Sequence, residues 1–150
     1  HLPQALGGHL GVHLGRAERR VDCIAGACML IRRRVIDDIG AFDESFFMYS
    51  EEVDWCYRIC RAGWDIVYLP DAVIVHYGGQ STRQVREPMY RALYRHKVRF
   101  FRKHYGRAAS LTLATVFVAA TRLRRVVCQL SGAEPNPALA WSELMNQRFS

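Results

Sequence analysis

The hydrophobic pattern of the chain changes period several times, and each change predicts a different element. A continuous apolar run at 27–32 (ACMLIR) predicts a buried strand, and helical spacing follows at 33–39. The segments 64–69 (WDIVYL) and 72–77 (AVIVHY) predict two further strands, separated by a Pro-Asp turn. A long helix is predicted from about 85 to 105, where Gly106 ends it. We interpret these elements as parts of an α/β fold.

The densest pattern is an acidic and aromatic stretch from Phe42 to Trp64. Unpaired charges are costly to bury, whereas a solvated loop has no need of so many aromatic side chains. We therefore expect a half-buried rim, with carboxylates facing a cleft and aromatic rings beneath them, and we expect this rim to carry the chemistry. The carboxylates are Asp43, Glu44, Glu51, Glu52 and Asp54.

A helix is predicted to begin after Ser50, which is a suitable N-cap, and to end at Gly63. Acids in the first turn interact favourably with the helix dipole, and the carboxylates of Glu51 and Glu52 can project past the helix start. Asp54 and Arg58 stand one turn apart, a spacing at which they can form an ion pair.

Composition and charge change the picture mainly in the second half of the chain. Half of the residues are hydrophobic and 23% are charged, as in ordinary globular domains. The net charge of +7 is concentrated at 83–107, where nine Lys or Arg accompany one acid. The apolar run 111–120 then leads into an Arg-rich segment, which is typical of an interfacial amphipathic helix and too short for a membrane span.

Five cysteines, an odd number without tight regular spacing, argue against a disulfide scaffold. A zinc site is not favoured, because Cys23 and Cys28, like Cys56 and Cys60, lie in apolar periodic segments, and we expect small buried thiols in a reducing compartment. The chain starts at His1 without a basic and apolar leader. We therefore expect no signal peptide and a piece of a longer protein.

Taken in order, the motifs resemble the C-terminal half of inverting family 2 glycosyltransferases with the GT-A fold, most closely the rhamnosyltransferase-type enzymes of bacterial cell-surface polysaccharide assembly. The resemblance covers roughly residues 21–105 in register. It implies a mixed sheet with flanking helices, followed here by the C-terminal amphipathic region. The motifs that carry it are GACMLIRR (26–33), IGAFDE (39–44), FFMY (46–49), EEVDWCYR (51–58), AGW (62–64), YLPDA (68–72) and VHYGGQS (75–81).

The resemblance implies a direct displacement at the anomeric carbon of a nucleotide-diphospho-sugar, with a carboxylate as general base for the acceptor hydroxyl. In the family the base lies in a Glu-Asp pair at this helix start, and its second position aligns with Glu52. Because Asp has become Glu here, one methylene longer, Glu51 remains a rival base. The family also usually has Gly at Ala41 and Leu at Trp55.

Further site residues follow from the same resemblance. Gly26 lacks a side chain and would let the acceptor approach the backbone closely. Asp43 and Glu44 would hydrogen-bond sugar hydroxyls, or else only shape a turn, and Asp54 and Arg58 would either contact the acceptor or only pair with each other. The predicted substrate-binding residues are Gly26, Ala27, Asp43, Glu44, Asp54 and Arg58.

The leaving nucleoside diphosphate implies a divalent cation, Mg²⁺ or Mn²⁺, and the strand-end His of the family, a metal ligand, aligns with His76. In the family an Asp-x-Asp of the N-terminal half holds the metal, and none precedes Gly26 here. The resemblance therefore implies an incompletely ligated metal and the acceptor-and-base half of an active site. On its own this half is expected to have little or no transferase activity. The predicted regions are a poorly ordered segment 1–20, a catalytic half 21–107 and an amphipathic helix and tail 108–150.

Partners and location are expectations of the same kind. We expect a nucleotide-diphospho-sugar donor, a glycan or polyprenyl-diphosphate-linked acceptor, and a peripheral position on the cytoplasmic face of the plasma membrane. One alternative is a non-catalytic remnant or interaction domain that binds anionic membrane surfaces. A nucleic-acid-binding module is the other alternative, but the basic helix has no accompanying nucleic-acid motif, and no nucleic-acid partner is expected.

Overall fold

A computed structural model of the chain describes residues 17–76 and 86–132. The elements are β1 (Arg19–Val21), α1 (Arg33–Ile39), α2 (Glu51–Arg61), β2 (Ile66–Tyr68) and α3 (Arg86–Ser131). The chain divides into two compact units with the boundary between Gly78 and Gly79, so that the first unit contains β1 to β2 and the second contains α3. Predictions made for residues 1–16, 77–85 and 133–150 lie outside the described residues.

The first unit is built around one side of α2. The core cluster takes Val35 from α1, Trp55, Cys56 and Ile59 from α2, and Ile66 from β2. Fully burying a large apolar side chain contributes roughly 1.5–3 kcal/mol, so this cluster is sufficient to fix α2 against its neighbours. The sheet beside it has two antiparallel strands, with Arg19 opposite Tyr68 and Val21 opposite Ile66.

The helices and one strand of the first unit agree with the sequence pattern. α1 occupies the predicted 33–39 and ends at Gly40, whose φ of 77° lies in the left-handed region that favours glycine. α2 begins at the predicted Glu51, and β2 lies within the predicted 64–69. The mixture of helix and strand is consistent with the α/β fold class.

Two predicted strands are wrong in the part of the chain that is described. Residues 27–32 and 72–76 form no strand, and the partner of β2 is β1, which starts at Arg19 inside the segment expected to lack order. Leu30 is 96% exposed and Val73 81% exposed. A strand needs a neighbour to satisfy its backbone N–H and C=O groups, and the described residues offer these two apolar runs none. The sheet there is an antiparallel pair and not the expected mixed sheet.

The second unit consists of α3, which is interrupted at Gly106. This residue has φ 88° and ψ −179°, a conformation that is accessible essentially to glycine alone. The rings of Tyr94 and Phe117 meet edge to face, with centroids 5.0 Å apart, so the segments 86–105 and 107–131 fold back on each other. The predicted helix end at Gly106 is confirmed. Within the described ranges, no helix has the length and apolar character needed to cross a membrane.

Candidate functional site

The start of α2 is set by an unusual turn. Tyr49 and Ser50 both have positive φ, 66° and 72°, which costs of order 1–3 kcal/mol per residue where a Cβ is present. The prediction that Ser50 caps the helix is wrong. Its backbone is left-handed and its side chain makes no capping hydrogen bond. A capping hydroxyl needs an extended backbone to reach the first free N–H groups, and the left-handed turn does not provide one.

Glu52 lies directly against Gly26. A Cβ added at position 26 would stand 3.6 Å from Glu52 Cβ and 3.9 Å from its Cγ. Glu52 is half-buried, and this burial raises the pKa of its carboxyl group; a backbone hydrogen bond opposes the rise, and the nearby charge of Glu51 adds to it. A raised pKa makes the carboxylate a stronger proton acceptor than an ordinary glutamate. The structure therefore brings two predicted residues, Gly26 and Glu52, together, and the role of Glu52 as a base stays a prediction.

Glu51 occupies a different environment on the same turn. Its Oε2 atom is buried and has no hydrogen-bond partner among the described residues. A buried carboxylate oxygen without a donor costs free energy, so this position is not explained by stability alone. Both acids remain candidates for the base, and contact with Gly26 is what distinguishes Glu52.

Asp54 and Arg58 tie α2 to the end of α1. Asp54 has 0% exposure, and Arg58 Nε donates to its Oδ2 at 2.9 Å. The other guanidinium nitrogens of Arg58 donate to the backbone oxygens of Ile39 at 2.7 Å and Ala41 at 2.6 Å. The predicted ion pair is confirmed. Complete burial does not fit the alternative that Asp54 touches a substrate, so we assign the pair a positioning role.

Trp55 adds a second tie to the same loop. Its Nε1 donates to the backbone oxygen of Gly40 at 2.9 Å, and its ring lies 4.5 Å from that of Phe42, measured between centroids. Trp64 likewise donates from Nε1 to Asp38 Oδ2 at 2.9 Å. Sequence reasoning placed Trp55 in the cleft floor and missed this bond. A Trp at a buried helical position signals the need for an acceptor, because its N–H is otherwise left unpaired.

The aromatic floor is only partly as expected. Phe46 is buried, whereas Phe47 is 79% exposed. Asp43 is half-buried, and its Oδ1 accepts the backbone N–H of Ser45 at 2.9 Å, which favours the turn-shaping alternative. Glu44 and Ala27 are exposed. The roles predicted for these residues at the acceptor stay predictions.

His76 is exposed at the end of the described part of the first unit. Across residues 17–76 and 86–132, no group of three or more His, Cys, Asp or Glu side chains is placed to hold a metal ion. The described residues therefore do not by themselves fit the expected divalent cation.

The cysteines are free thiols. The expectation of burial holds for Cys56 and is wrong for Cys28 and Cys60, which are exposed. A hydrogen bond with Cys56, and burial as the second cause, hold the pKa of the Cys23 thiol far above its usual range. Cys23 packs against the core cluster of the first unit.

Comparison with known proteins places this geometry in context. The family described as "Glycosyltransferase like family 2" matches residues 8–100. The N-acetylglucosaminyl-diphospho-decaprenol L-rhamnosyltransferase of Mycobacterium tuberculosis (strain ATCC 25618 / H37Rv) is 41% identical over 81 residues, which are 54% of this chain and 26% of that protein. Rhamnosyltransferase WbbL of Escherichia coli (strain K12) is 34% identical over 71 residues, 47% of this chain and 27% of that protein.

The low-salt glycan biosynthesis hexosyltransferase Agl10 of Haloferax volcanii is 48% identical over 46 residues, which are 31% of this chain and 15% of that protein. No solved structure matches the chain. The matched segment spans about a quarter of the length of each of the two rhamnosyltransferases.

Proposed function

Because the chain belongs to glycosyltransferase-like family 2, we propose that it forms the acceptor-and-base part of an inverting glycosyltransferase. The observation that carries this proposal is the position of Glu52. Its carboxyl group is half-buried, has a raised pKa and lies at the start of a firmly held helix, against a glycine that leaves room beside it. A free hydroxyl is a poor nucleophile, and a positioned carboxylate of this kind supplies what the reaction needs.

In the proposed step Glu52 accepts the proton of an acceptor hydroxyl. The hydroxyl oxygen forms a bond to the anomeric carbon of a nucleotide-diphospho-sugar, on the face opposite the nucleotide. The bond between that carbon and the diphosphate oxygen breaks, and the nucleoside diphosphate leaves with its electron pair, so the configuration inverts. Glu51, one residue earlier, is the rival base.

The neighbouring residues contribute to this step by holding Glu52 in place. The Arg58 guanidinium donates to Asp54 and to the backbone oxygens of Ile39 at the end of α1 and Ala41 just after it, and Trp55 donates to Gly40. These bonds fix the rotation of α2 and therefore the direction in which the Glu52 side chain leaves the helix. Small errors in the placement of a catalytic group are costly for rate, so these contacts support the base without touching a substrate.

Substrates are proposed from the relatives. Two of them are named as rhamnosyltransferases, one of which acts on N-acetylglucosaminyl-diphospho-decaprenol. We infer that the donor is a nucleotide-diphospho-sugar of L-rhamnose or a related hexose, and that the acceptor is a polyprenyl-diphosphate-linked glycan in cell-surface polysaccharide assembly. A divalent cation on the leaving diphosphate would need ligands in addition to His76, and no step here depends on it.

The proposal is tested in a chimera. The 81-residue segment of the Mycobacterium tuberculosis rhamnosyltransferase that matches this chain is replaced by the corresponding residues of this chain, and transfer to the lipid-linked acceptor is measured. We expect an active chimera in which Glu52→Gln lowers kcat by roughly 10²–10⁴-fold, the usual contribution of a general base. Glu51→Gln is expected to have a smaller effect.

Asp71→Asn serves as the matched control, because it also removes one carboxylate charge, from an exposed residue beyond β2. It should leave kcat unchanged. An active chimera in which Glu52→Gln matches the parent would remove Glu52 from the role of base. The isolated chain is expected to show little or no turnover.

A further inference from the structure

The second segment of α3, residues 107–131, distributes its side chains in the reverse of the usual way for an amphipathic helix, which buries its large apolar residues. Its buried positions are small or polar: Ser110, Ala114 and Thr121 are each at most 7% exposed. Their hydroxyls are satisfied within the helix, since Ser110 donates to the backbone oxygen of Arg107 and Thr121 to that of Phe117. Large apolar side chains are therefore not required on the buried side and stand elsewhere.

The exposed side of this segment carries those apolar residues. At about 100° per residue, one face of roughly 100° of arc contains no charged residue. Leu123 is 66% exposed and Leu130 83% exposed on that face. We call it the apolar stripe; it consists of Thr112, Val116, Ala119, Leu123, Val126, Val127 and Leu130, and all seven are exposed.

Arginines flank the apolar stripe, and a basic face follows the other segment of α3. The exposed Arg122 and Arg124 lie just outside the two edges of the stripe. On the segment 86–105, an exposed face carries Arg95, Arg99, Arg102 and Lys103. Residues 88–131 contain ten Lys or Arg and no Asp or Glu. Residues 88–131 thus combine an apolar stripe with charged side chains that are all positive.

We propose that α3 docks on the surface of an anionic lipid bilayer, with the apolar stripe inserted at the headgroup boundary and the arginines on the lipid phosphates. Helices bind in the plane of the interface when an apolar face is flanked by Lys and Arg, and the affinity combines buried apolar area with attraction to anionic lipid. The inference is independent of the proposed transferase activity. It places the protein on the membrane and not through it.

The positive charge and the exposed apolar residues together favour an anionic bilayer over a nucleic acid or a second copy of the chain. A nucleic acid would neutralise the basic residues but leave the apolar stripe in water. A second copy would cover the stripe but bring two strongly positive helices together without an acid between 88 and 131 to compensate, which like-charge repulsion disfavours. An anionic bilayer both neutralises the basic residues and covers the apolar stripe.

The test is co-sedimentation of the full chain with vesicles. One set contains phosphatidylglycerol and phosphatidylcholine in equal parts, and the other contains phosphatidylcholine alone. We expect pelleting with the anionic set, weakened by added salt because surface charges are screened, and little with the zwitterionic set. The double substitution of Arg95→Gln and Arg102→Gln should lower the partition coefficient roughly 30-fold, since each basic residue near the membrane surface contributes about 1 kcal/mol.

The apolar contribution is tested separately with Leu123→Ser and Leu130→Ser combined. Each substitution removes apolar area that would be buried in the bilayer and should lower the partition coefficient roughly tenfold. The control is Leu30→Ser, which removes a leucine of the first unit that is 96% exposed, more than Leu123 or Leu130, and should leave partitioning unchanged. Far-ultraviolet circular dichroism verifies that each variant keeps its helix.

Three outcomes would overturn the proposal. Equal binding to both vesicle sets would remove the role of charge. If the leucine variant partitions onto vesicles as well as the parent, the apolar stripe has no part in membrane binding. If that variant has also lost self-association in sedimentation velocity, the stripe is a contact between copies of the chain. Binding to duplex DNA in preference to anionic vesicles, with the leucine variant unaffected, would assign α3 to nucleic acid.

Discussion

α2 and the second segment of α3 distribute polar and apolar residues in opposite ways. α2 places a fully buried aspartate on its inner side and compensates it with an arginine whose side chain is 21% exposed. The α3 segment keeps small residues inside and presents leucines and valines to the outside. Both helices thus depart from the simple rule that apolar residues face inward, and they depart for different physical reasons.

The difference separates positioning from docking. A buried ion pair is costly to desolvate and is a weak source of stability, but its hydrogen bonds accept only one geometry. α2 therefore gains a fixed orientation, which suits a helix that carries candidate catalytic carboxylates at its start. Exposed apolar side chains fix no geometry within the chain and lower their free energy only when another surface covers them.

The largest expected effect is on the buried pair of α2. Asp54→Ala leaves the Arg58 guanidinium without its carboxylate in a largely buried position, and we expect a loss of about 3–5 kcal/mol in the free energy of unfolding, measured with urea. Asp37→Ala is the matched control. It breaks an Arg–Asp pair with the same spacing and nearly the same distance, 2.8 Å against 2.9 Å, but with both side chains exposed.

For the exposed pair we expect about 0–1 kcal/mol. Equal losses in the two variants would show that burial does not distinguish them, and the contrast drawn for α2 would fail. Should Asp54→Ala not fold, Arg58→Lys tests the same point, because lysine keeps the charge but cannot reach Asp54 and two backbone oxygens together.

A smaller effect is expected at the interruption of α3. Gly106→Ala places a Cβ at φ 88° and ψ −179°, where the strain costs about 1–3 kcal/mol. No atom stands within 4 Å of the added Cβ, so the loss would come from backbone strain and not from a clash. The thermal midpoint measures it. A variant as stable as the parent would show that the turn separating the basic face from the apolar stripe is not held in this conformation.

The tryptophans of the first unit allow a finer comparison. Trp55→Phe removes the donor to Gly40 within a partly buried contact, and we expect a loss of about 1–1.5 kcal/mol in the free energy of unfolding. Trp64→Phe removes a bond of the same length to the exposed Asp38 and should cost less, because water replaces it there. A larger loss for Trp64→Phe would contradict the assignment of Trp55 as the tie between α2 and the loop after α1.

Local signals in the sequence predict α1, α2 and β2 well, since each has its own periodicity and a glycine or turn at its end. The strands expected at 27–32 and 72–77 follow from apolar composition, and composition does not identify a pairing partner. β1 consists of Arg19, Arg20 and Val21 and has no strand signal of its own, because its conformation comes from pairing with β2.

The candidate site shows the same division. Spacing predicted the ion pair between Asp54 and Arg58, which are one turn apart. It did not predict that Gly26 meets Glu52, a contact between residues far apart in sequence. The left-handed pair Tyr49–Ser50 also has no signal in residue type, since neither is a glycine or an asparagine. Long-range contacts and strained turns depend on the whole packing.

The smallest expected effect concerns the stability cost of Glu52 itself. Its pKa is raised in the folded chain, so between the ordinary glutamate pKa and the raised value the folded state binds more protons than the unfolded state. The free energy of unfolding of the parent then falls as pH rises through that interval. A glutamine side chain does not titrate. At low pH position 52 should therefore contribute equally to the free energy of unfolding of Glu52→Gln and of the parent, and near neutral pH Glu52→Gln should be the more stable protein.

Urea unfolding at several pH values measures the difference, with Glu44→Gln as the control from an exposed position. The difference between Glu52→Gln and the parent should grow with pH and then level off, whereas the control should give a flat difference. The gain stays small because Glu52 is only half-buried and water screens its charge. If Glu52→Gln stabilises this chain and lowers kcat in the chimera, Glu52 is a residue kept for chemistry at the expense of the fold.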